Sequence, residues 1–217
     1  MKIAVLGSGH VGKTLSPRLV ELGHEAALGT RDPAATLAKE DFAAWAAEHP
    51  EVTVATFAEA AAGAEMVLNA TNGDVTLDVL GLAGAENLAG KVLVDISNGL
   101  DFSGGFPPLI TFPQDDSMGE QIQRAFPDVL VVKSLNTMTA PLMADPSVLP
   151  DPGSVFVSGN DAGAKKAVTA LLHEFGHTDV IDLGDITTAR AVEWLMPAWV
   201  RLMGPMGSPM FNWKIVR

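Results

Sequence analysis

Cysteine and tyrosine are both missing from the chain, and each absence removes a class of chemistry. Without cysteine there are no disulfides, thiolate nucleophiles, cysteine-ligated zinc sites or iron–sulfur clusters. Without tyrosine there is no phenolic proton donor, which excludes reductases built on a Tyr-x-x-x-Lys pair. Positive charge is scarce as well: 14 Lys and Arg stand against 26 Asp and Glu, a net charge of −12. A surface that acidic repels a phosphate backbone and argues against nucleic-acid partners. No apolar run approaches the roughly 18 residues a membrane span requires. The opening, one lysine and then an apolar strand, lacks the form of a signal peptide. These absences point to a cytoplasmic protein with small-molecule partners. At 217 residues the chain suits one large domain, or one domain with a small appendage.

What is present is an alternation of short β-branched runs with alanine- and leucine-rich segments. Strands are expected at Lys2–Leu6, Glu25–Leu28, Val52–Ala55, Met66–Ala70, Val92–Ile96, Val129–Val132, Val155–Val157 and Val180–Leu183. Between them, Val11, Leu15, Leu19 and Leu22 line one helical face, as do Ala164, Val168, Leu171 and Phe175 further on. Strands alternating with helices imply βαβ units, so the expected fold is α/β, a doubly wound and mostly parallel sheet. Asp145–Gly153, with three prolines in nine residues, is the expected boundary between a main portion (1–150) and a small C-terminal α/β part (151–217). Asp101–Ser117, with Gly104, Gly105, Pro107, Pro108 and Pro113, reads as an irregular excursion. The segment Ile186–Met203 reads as one helix, apolar around most of its circumference and interrupted by Pro197. It is either a core helix or one that closes a ligand pocket or a dimer interface.

The most informative motif is Gly7-Ser8-Gly9-His10-Val11-Gly12, a G-x-G-x-x-G directly after the first strand and opening the first helix. The first glycine permits the turn, the second lets backbone approach a pyrophosphate, and the third lets helix and sheet pack closely. About 20 residues further on, an NAD enzyme places an acidic residue beside the adenosine ribose. Here Gly29-Thr30-Arg31 stands instead, a hydroxyl and a guanidinium suited to a 2′-phosphate, so NADP(H) is the expected cofactor. Arg31 could also be a solvated turn residue paired with Asp32.

A rival overlaps the same residues. Gly7 through Thr14 satisfies the phosphate-loop pattern G-x-x-x-x-G-K-[ST], with Lys13 for terminal phosphates, Thr14 for magnesium and Asp95 as a second metal ligand. The second strand's end, Leu28-Gly29-Thr30-Arg31, favours the dinucleotide reading over this rival. A second motif, His173-Glu174-Phe175-Gly176-His177, matches the zinc-protease signature H-E-x-x-H. Gly176 looks like a helix-ending glycine that would carry His177 off the helical face, so no metal site is expected.

Taken together, several segments resemble the F420-dependent NADP oxidoreductases. They are Met1-Lys2-Ile3-Ala4-Val5-Leu6-Gly7-Ser8-Gly9, Gly23-His24-Glu25, Gly29-Thr30-Arg31, Asp95-Ile96-Ser97-Asn98, Val132-Lys133-Ser134-Leu135-Asn136-Thr137, Asp182-Leu183-Gly184-Asp185 and Ala189-Arg190. The resemblance implies a Rossmann NAD(P)-binding domain with a small C-terminal part, a homodimer, and hydride exchange between NADP(H) and the deazaflavin coenzyme F420. It implies that Gly7, Ser8, Gly9, His10, Val11, Gly12, Thr30 and Arg31 hold NADP(H). It further implies that the loop Ala70-Thr71-Asn72 runs beside the dinucleotide, and that Asn98, Asn136 and Thr137 stand near the stacked rings. Hydride transfer between rings needs positioning more than a side-chain acid, so no acid–base residue is assigned. A flavin-like or quinone-like acceptor, or a non-catalytic NADP(H)-sensing role, are the alternatives.

Overall fold

A computed structural model describes residues 1–101, 103–111 and 115–217. Its centre is an eight-stranded sheet built from β1 (Lys2–Leu6), β2 (Glu25–Thr30), β3 (Thr53–Thr56), β4 (Met66–Asn69), β5 (Val92–Asp95), β8 (Leu130–Ser134), β9 (Ser154–Gly159) and β10 (Asp179–Gly184). A two-residue hairpin, β6 (Leu100–Asp101) with β7 (Leu109–Ile110), stands apart from it. All eight expected strands are present, with ends shifted by a residue or two. Pro113 of the expected excursion lies outside the described residues.

The strand order is β10-β9-β8-β5-β4-β1-β2-β3. Every pairing is parallel except β8 with β9. The sheet is a Rossmann-like doubly wound fold. The order reverses between β1 and β4, and at such a switch point the loops beyond the strand ends diverge to leave a crevice. Gly7 follows β1 and Ala70 follows β4, so these two loops flank it.

Helices cover both faces: α1 (His10–Glu21), α2 (Pro33–Leu37), α3 (Glu40–Glu48), α4 (Phe57–Gly63), α5 (Gly73–Ala83), α6 (Ala85–Leu88), α7 (Met118–Ala125), α8 (Ala140–Ala144), α9 (Ala162–Phe175), α10 (Ala189–Glu193) and α11 (Met196–Met206). Alternation along β1 sends Ile3 and Val5 to a core shared with Leu15 and Leu19 of α1 and Val168 and Leu172 of α9. Ala4 and Leu6 go to the opposite core, with Phe57 of α4, Leu80 of α5 and Ile122 of α7. Burial on both faces is what makes these strands read as continuous apolar runs.

The strands after Asp145–Gly153 pair into the same sheet as those before it. The chain's end returns to that point: Ser154 N–H donates to the Trp213 carbonyl at 2.7 Å, and Asn212 Nδ2 to the Pro152 carbonyl at 2.7 Å.

The single helix expected over Ile186–Met203 is corrected. A 3-10 turn (Ile186–Thr188) leads into α10, and a break at Trp194–Leu195 separates α10 from α11. Pro197 lies in the first turn of α11, where a missing N–H costs nothing. The proline therefore starts a helix rather than interrupting one.

Candidate functional site

The turn after β1 is built by glycines that tolerate no side chain. Gly7 adopts φ +123°, and a Cβ there would come within 2.7 Å of the Ala70 carbonyl oxygen. At Gly12 a Cβ would lie 1.9 Å from the Gly7 carbonyl oxygen, so only glycine lets α1 start so close to the strand end. Gly9 differs: a Cβ there would meet nothing within 4 Å. The space over Gly9 is open, and the first turn of α1 has neither a side-chain cap nor an acidic residue. Its leading N–H groups are unpaired donors of the kind that favour an anion. Ser8 is half-buried beside this opening.

From there a cleft of about 280 Å³ runs over the carboxyl ends of β1, β4, β5 and β8. His10 and Val11 line one end, Ala70 and Thr71 the side, and Asn98 and Asn136 the far wall. These six residues, expected from sequence to share a site, are brought together. Thr137 is not on the cleft; it is buried, with 2% of its surface exposed. Asn72, expected beside the dinucleotide with Ala70 and Thr71, lines the cleft too, whereas sequence reasoning missed Ser97 and Thr139, and also the apolar wall made by Leu100, Met138, Met143 and Met196. The methionines carry no motif. Only their placement by the loop after β8, by α8 and by α11 brings them together as one apolar surface.

The two asparagines are joined. Asn98 Nδ2 donates to the Asn136 backbone carbonyl at 3.0 Å, and Asn136 Nδ2 donates to Asn98 Oδ1 at 3.0 Å. Asn136 Nδ2 also reaches the Val192 carbonyl at 3.2 Å, tying the loop after β8 to α10. Leu135, beside Asn136, takes φ +62°, a left-handed conformation strained for a leucine.

Beneath this wall lies a buried ionic cluster that the sequence did not announce. Lys133 Nζ stands 2.8 Å from Asp95 Oδ2 and 2.9 Å from Glu193 Oε1, with all three side chains fully enclosed. It also donates to the Ser97 backbone carbonyl. Burial opposes the Lys133 charge, but the Asp95 and Glu193 carboxylates more than offset it and hold its pKa above the usual lysine value. Burial pushes the Glu193 carboxyl above the usual carboxylate range, against the pull of Lys133.

This cluster bears on the phosphate-loop rival. Asp95 is wholly buried and already accepts from Asn69 Nδ2, Ser97 Oγ and Lys133 Nζ, so it has no face for magnesium. Lys13 Nζ lies 3.7 Å from Asp41, and the Thr14 hydroxyl donates to the His10 carbonyl at 2.8 Å. The rival reading fails on its metal.

At the end of β2, Thr30 is buried, its hydroxyl 2.8 Å from Thr36 Oγ1. What the surface presents there is Arg31, exposed. Asp32 accepts from Ala35 N–H at 2.9 Å as the cap of α2 and makes no ion pair with Arg31 among the described residues. The H-E-x-x-H residues part as the helix ends: α9 stops at Phe175, Gly176 takes φ +106°, and His177 turns its Nε2 to the Met143 carbonyl at 3.2 Å. Among the described residues, no three His, Asp or Glu side chains gather as a metal site, and no helix is long and apolar enough to cross a membrane.

The chain matches the model of the family "NADP oxidoreductase coenzyme F420-dependent" over residues 2–99. It is also 59% identical to a crystal structure from Arthrobacter sp. FB24 proposed to be an F420 dependent NADP-reductase, with full coverage of both chains and a TM-score of 0.98. The chain belongs to the F420-dependent NADP oxidoreductase family. Within that family, the F420-dependent NADP reductase of Methanocaldococcus jannaschii is 28% identical over 93% of this chain and 92% of its own. The metalloreductase STEAP3 of Rattus norvegicus is 30% identical over 91% of this chain, which spans only 38% of that relative's length.

Proposed function

We propose that this protein is an NADP(H)-dependent oxidoreductase that transfers hydride between the nicotinamide and a deazaflavin (F420) or flavin-like acceptor. The observation that carries the reading is the open space over Gly9, continuous with a cleft that ends in paired asparagines and a methionine wall. A dinucleotide fits this arrangement. The uncapped first turn of α1 would take the pyrophosphate, with Gly9 and Ser8 backbone below it. Arg31, exposed at the end of β2, would take the 2′-phosphate by charge-assisted bonds.

Bound NADPH supplies the hydride, and the acceptor gains that hydride plus one proton from solvent. The protein's own part is geometric. Half-buried Asn98 keeps one Nδ2 hydrogen uncommitted among the described residues at the far end of the cleft, able to orient a carboxamide or a ring carbonyl, and buried Asn136 holds it in place. Met138, Met143 and Met196 offer a polarizable apolar wall that excludes water from the transfer. His10 is the one titratable side chain on the described lining, and it sits at the phosphate end. That distribution favours positioning over acid–base catalysis.

Four further assignments belong to the same reading. Residues 1–150 would form the dinucleotide-binding portion and 151–217 the part that closes the second-substrate pocket, supported by Met196 on the cleft. A homodimer would use the C-terminal helices, where Trp194, Leu202 and Met206 are exposed. The location would be cytoplasmic, and the partner a small redox acceptor. Anaerobic mixing with NADPH and a panel of F420, FMN, FAD and quinones, following nicotinamide absorbance, tests the proposal. Oxidation with F420 or a flavin supports it; binding of NADPH without turnover on any acceptor overturns it.

A further inference from the structure

We infer that Lys133 is a positioning residue whose single buried ammonium sets both walls of the ring end of the cleft. This rests on the oxidoreductase reading only for what the cleft holds; the connection itself is in the structure.

Two routes leave the ammonium. Through the Ser97 carbonyl it fixes the backbone directly before Asn98. Through Glu193 it fixes α10, whose Val192 carbonyl takes Asn136 Nδ2 at 3.2 Å and whose continuation places Met196 on the cleft. Glu193 is itself held from a third side, accepting from the backbone N–H groups of Met118 at 2.9 Å and Gly119 at 3.1 Å. The asparagine pair therefore closes a loop of contacts that begins and ends at Lys133.

The chemistry argues that this is more than a staple. Burying two carboxylates and an ammonium is a poor source of stability, since apolar side chains of similar volume commonly do as well or better. What a buried charge cluster supplies that an apolar one does not is direction: each bond has one partner and one geometry. The strained Leu135 backbone, one residue before Asn136, is a second and independent sign that this stretch is held for a purpose other than stability.

The test uses the full chain. Lys133→Met would strand two buried carboxylates and is at risk of not folding, so the primary variants are Glu193→Gln and Asp95→Asn, which keep shape and remove one charge. Asparagine side-chain amide exchange is read by NMR on ligand-free protein, and NADPH affinity and turnover are read separately. The expected result for folded Glu193→Gln is side-chain amide exchange of Asn98 and Asn136 about tenfold faster than in the parent protein. NADPH affinity should stay within about twofold, because the phosphate contacts are distant. Turnover with the working acceptor should drop by up to about 100-fold through misplacement of the rings. Folded variants with unchanged amide exchange and unchanged turnover overturn the inference, as does a loss confined to thermal stability. If the parent protein turns over no acceptor, the functional reading fails while the amide exchange still decides the role of Lys133.

Discussion

Asn98 and Asn136 hold each other across two neighbouring strands: the side chain of each donates to the other residue, both at 3.0 Å, from the loops that follow β5 and β8. Residues 38 apart in sequence thus form one rigid polar edge at the end of a cleft that begins at the glycine turn. Replacing Asn136 with leucine leaves Asn98 Oδ1 and the Val192 carbonyl without this donor. The expected cost is about 1–3 kcal/mol of stability by urea unfolding, together with a fall in kcat that exceeds any change in NADPH affinity. A variant with lowered stability and unaltered kcat contradicts the orienting role.

Arg31, exposed after β2, is the residue proposed to select the phosphorylated cofactor. Arg31→Ala should weaken NADPH by about 1.5–3 kcal/mol and leave NADH nearly unchanged. Paired titrations of the two nucleotides by fluorescence or calorimetry read this directly. Equal loss for both would place the adenosine elsewhere.

The second and third glycines of the turn should respond differently to the same substitution. A methyl at Gly12 would lie 1.9 Å from the Gly7 carbonyl, so Gly12→Ala must move α1 off the strand and lower the melting temperature. A methyl at Gly9 meets nothing within 4 Å, so Gly9→Ala should melt like the parent protein. It should nonetheless lose NADPH affinity, because the methyl occupies the phosphates' approach. Thermal melts with and without NADPH distinguish the two.

How much of this was legible beforehand follows from the range of each interaction. The strands were legible because burial on both faces makes each a short apolar run, and the glycine turn because its spacing is local. Gly176 as the end of α9 was legible for the same reason. The Lys133 cluster was not, since Asp95, Lys133 and Glu193 meet only after β5, β8 and α10 have assembled. The β6–β7 hairpin, two residues per strand, carries no periodicity to detect. The break between α10 and α11 was misread because an apolar segment looks continuous, and a proline at a helix start looks the same in sequence as one in its middle.

His177 makes stability depend on pH. Burial lowers its pKa from the ordinary value near 6.5, with the Met143 carbonyl and Asp145 opposing and His173 adding to the shift. The folded protein therefore refuses a proton that the unfolded chain accepts once pH falls below about 6.5. This contribution to stability is complete above that pH and is lost as pH falls toward the folded-state pKa. Urea unfolding between neutral and mildly acidic pH should show the decline, and His177→Gln should flatten that part of the profile. An unchanged profile in the variant would assign the decline to other groups.

The most direct measurement follows the hydride itself. NADPH deuterated at the transferring position of the nicotinamide is mixed anaerobically with the protein and F420, and the reduced acceptor is examined by mass spectrometry. Direct transfer in a closed cleft predicts deuterium retained on the reduced deazaflavin. Deuterium absent from that product, or NADPH left unoxidised with F420 and flavins alike, would contradict the account.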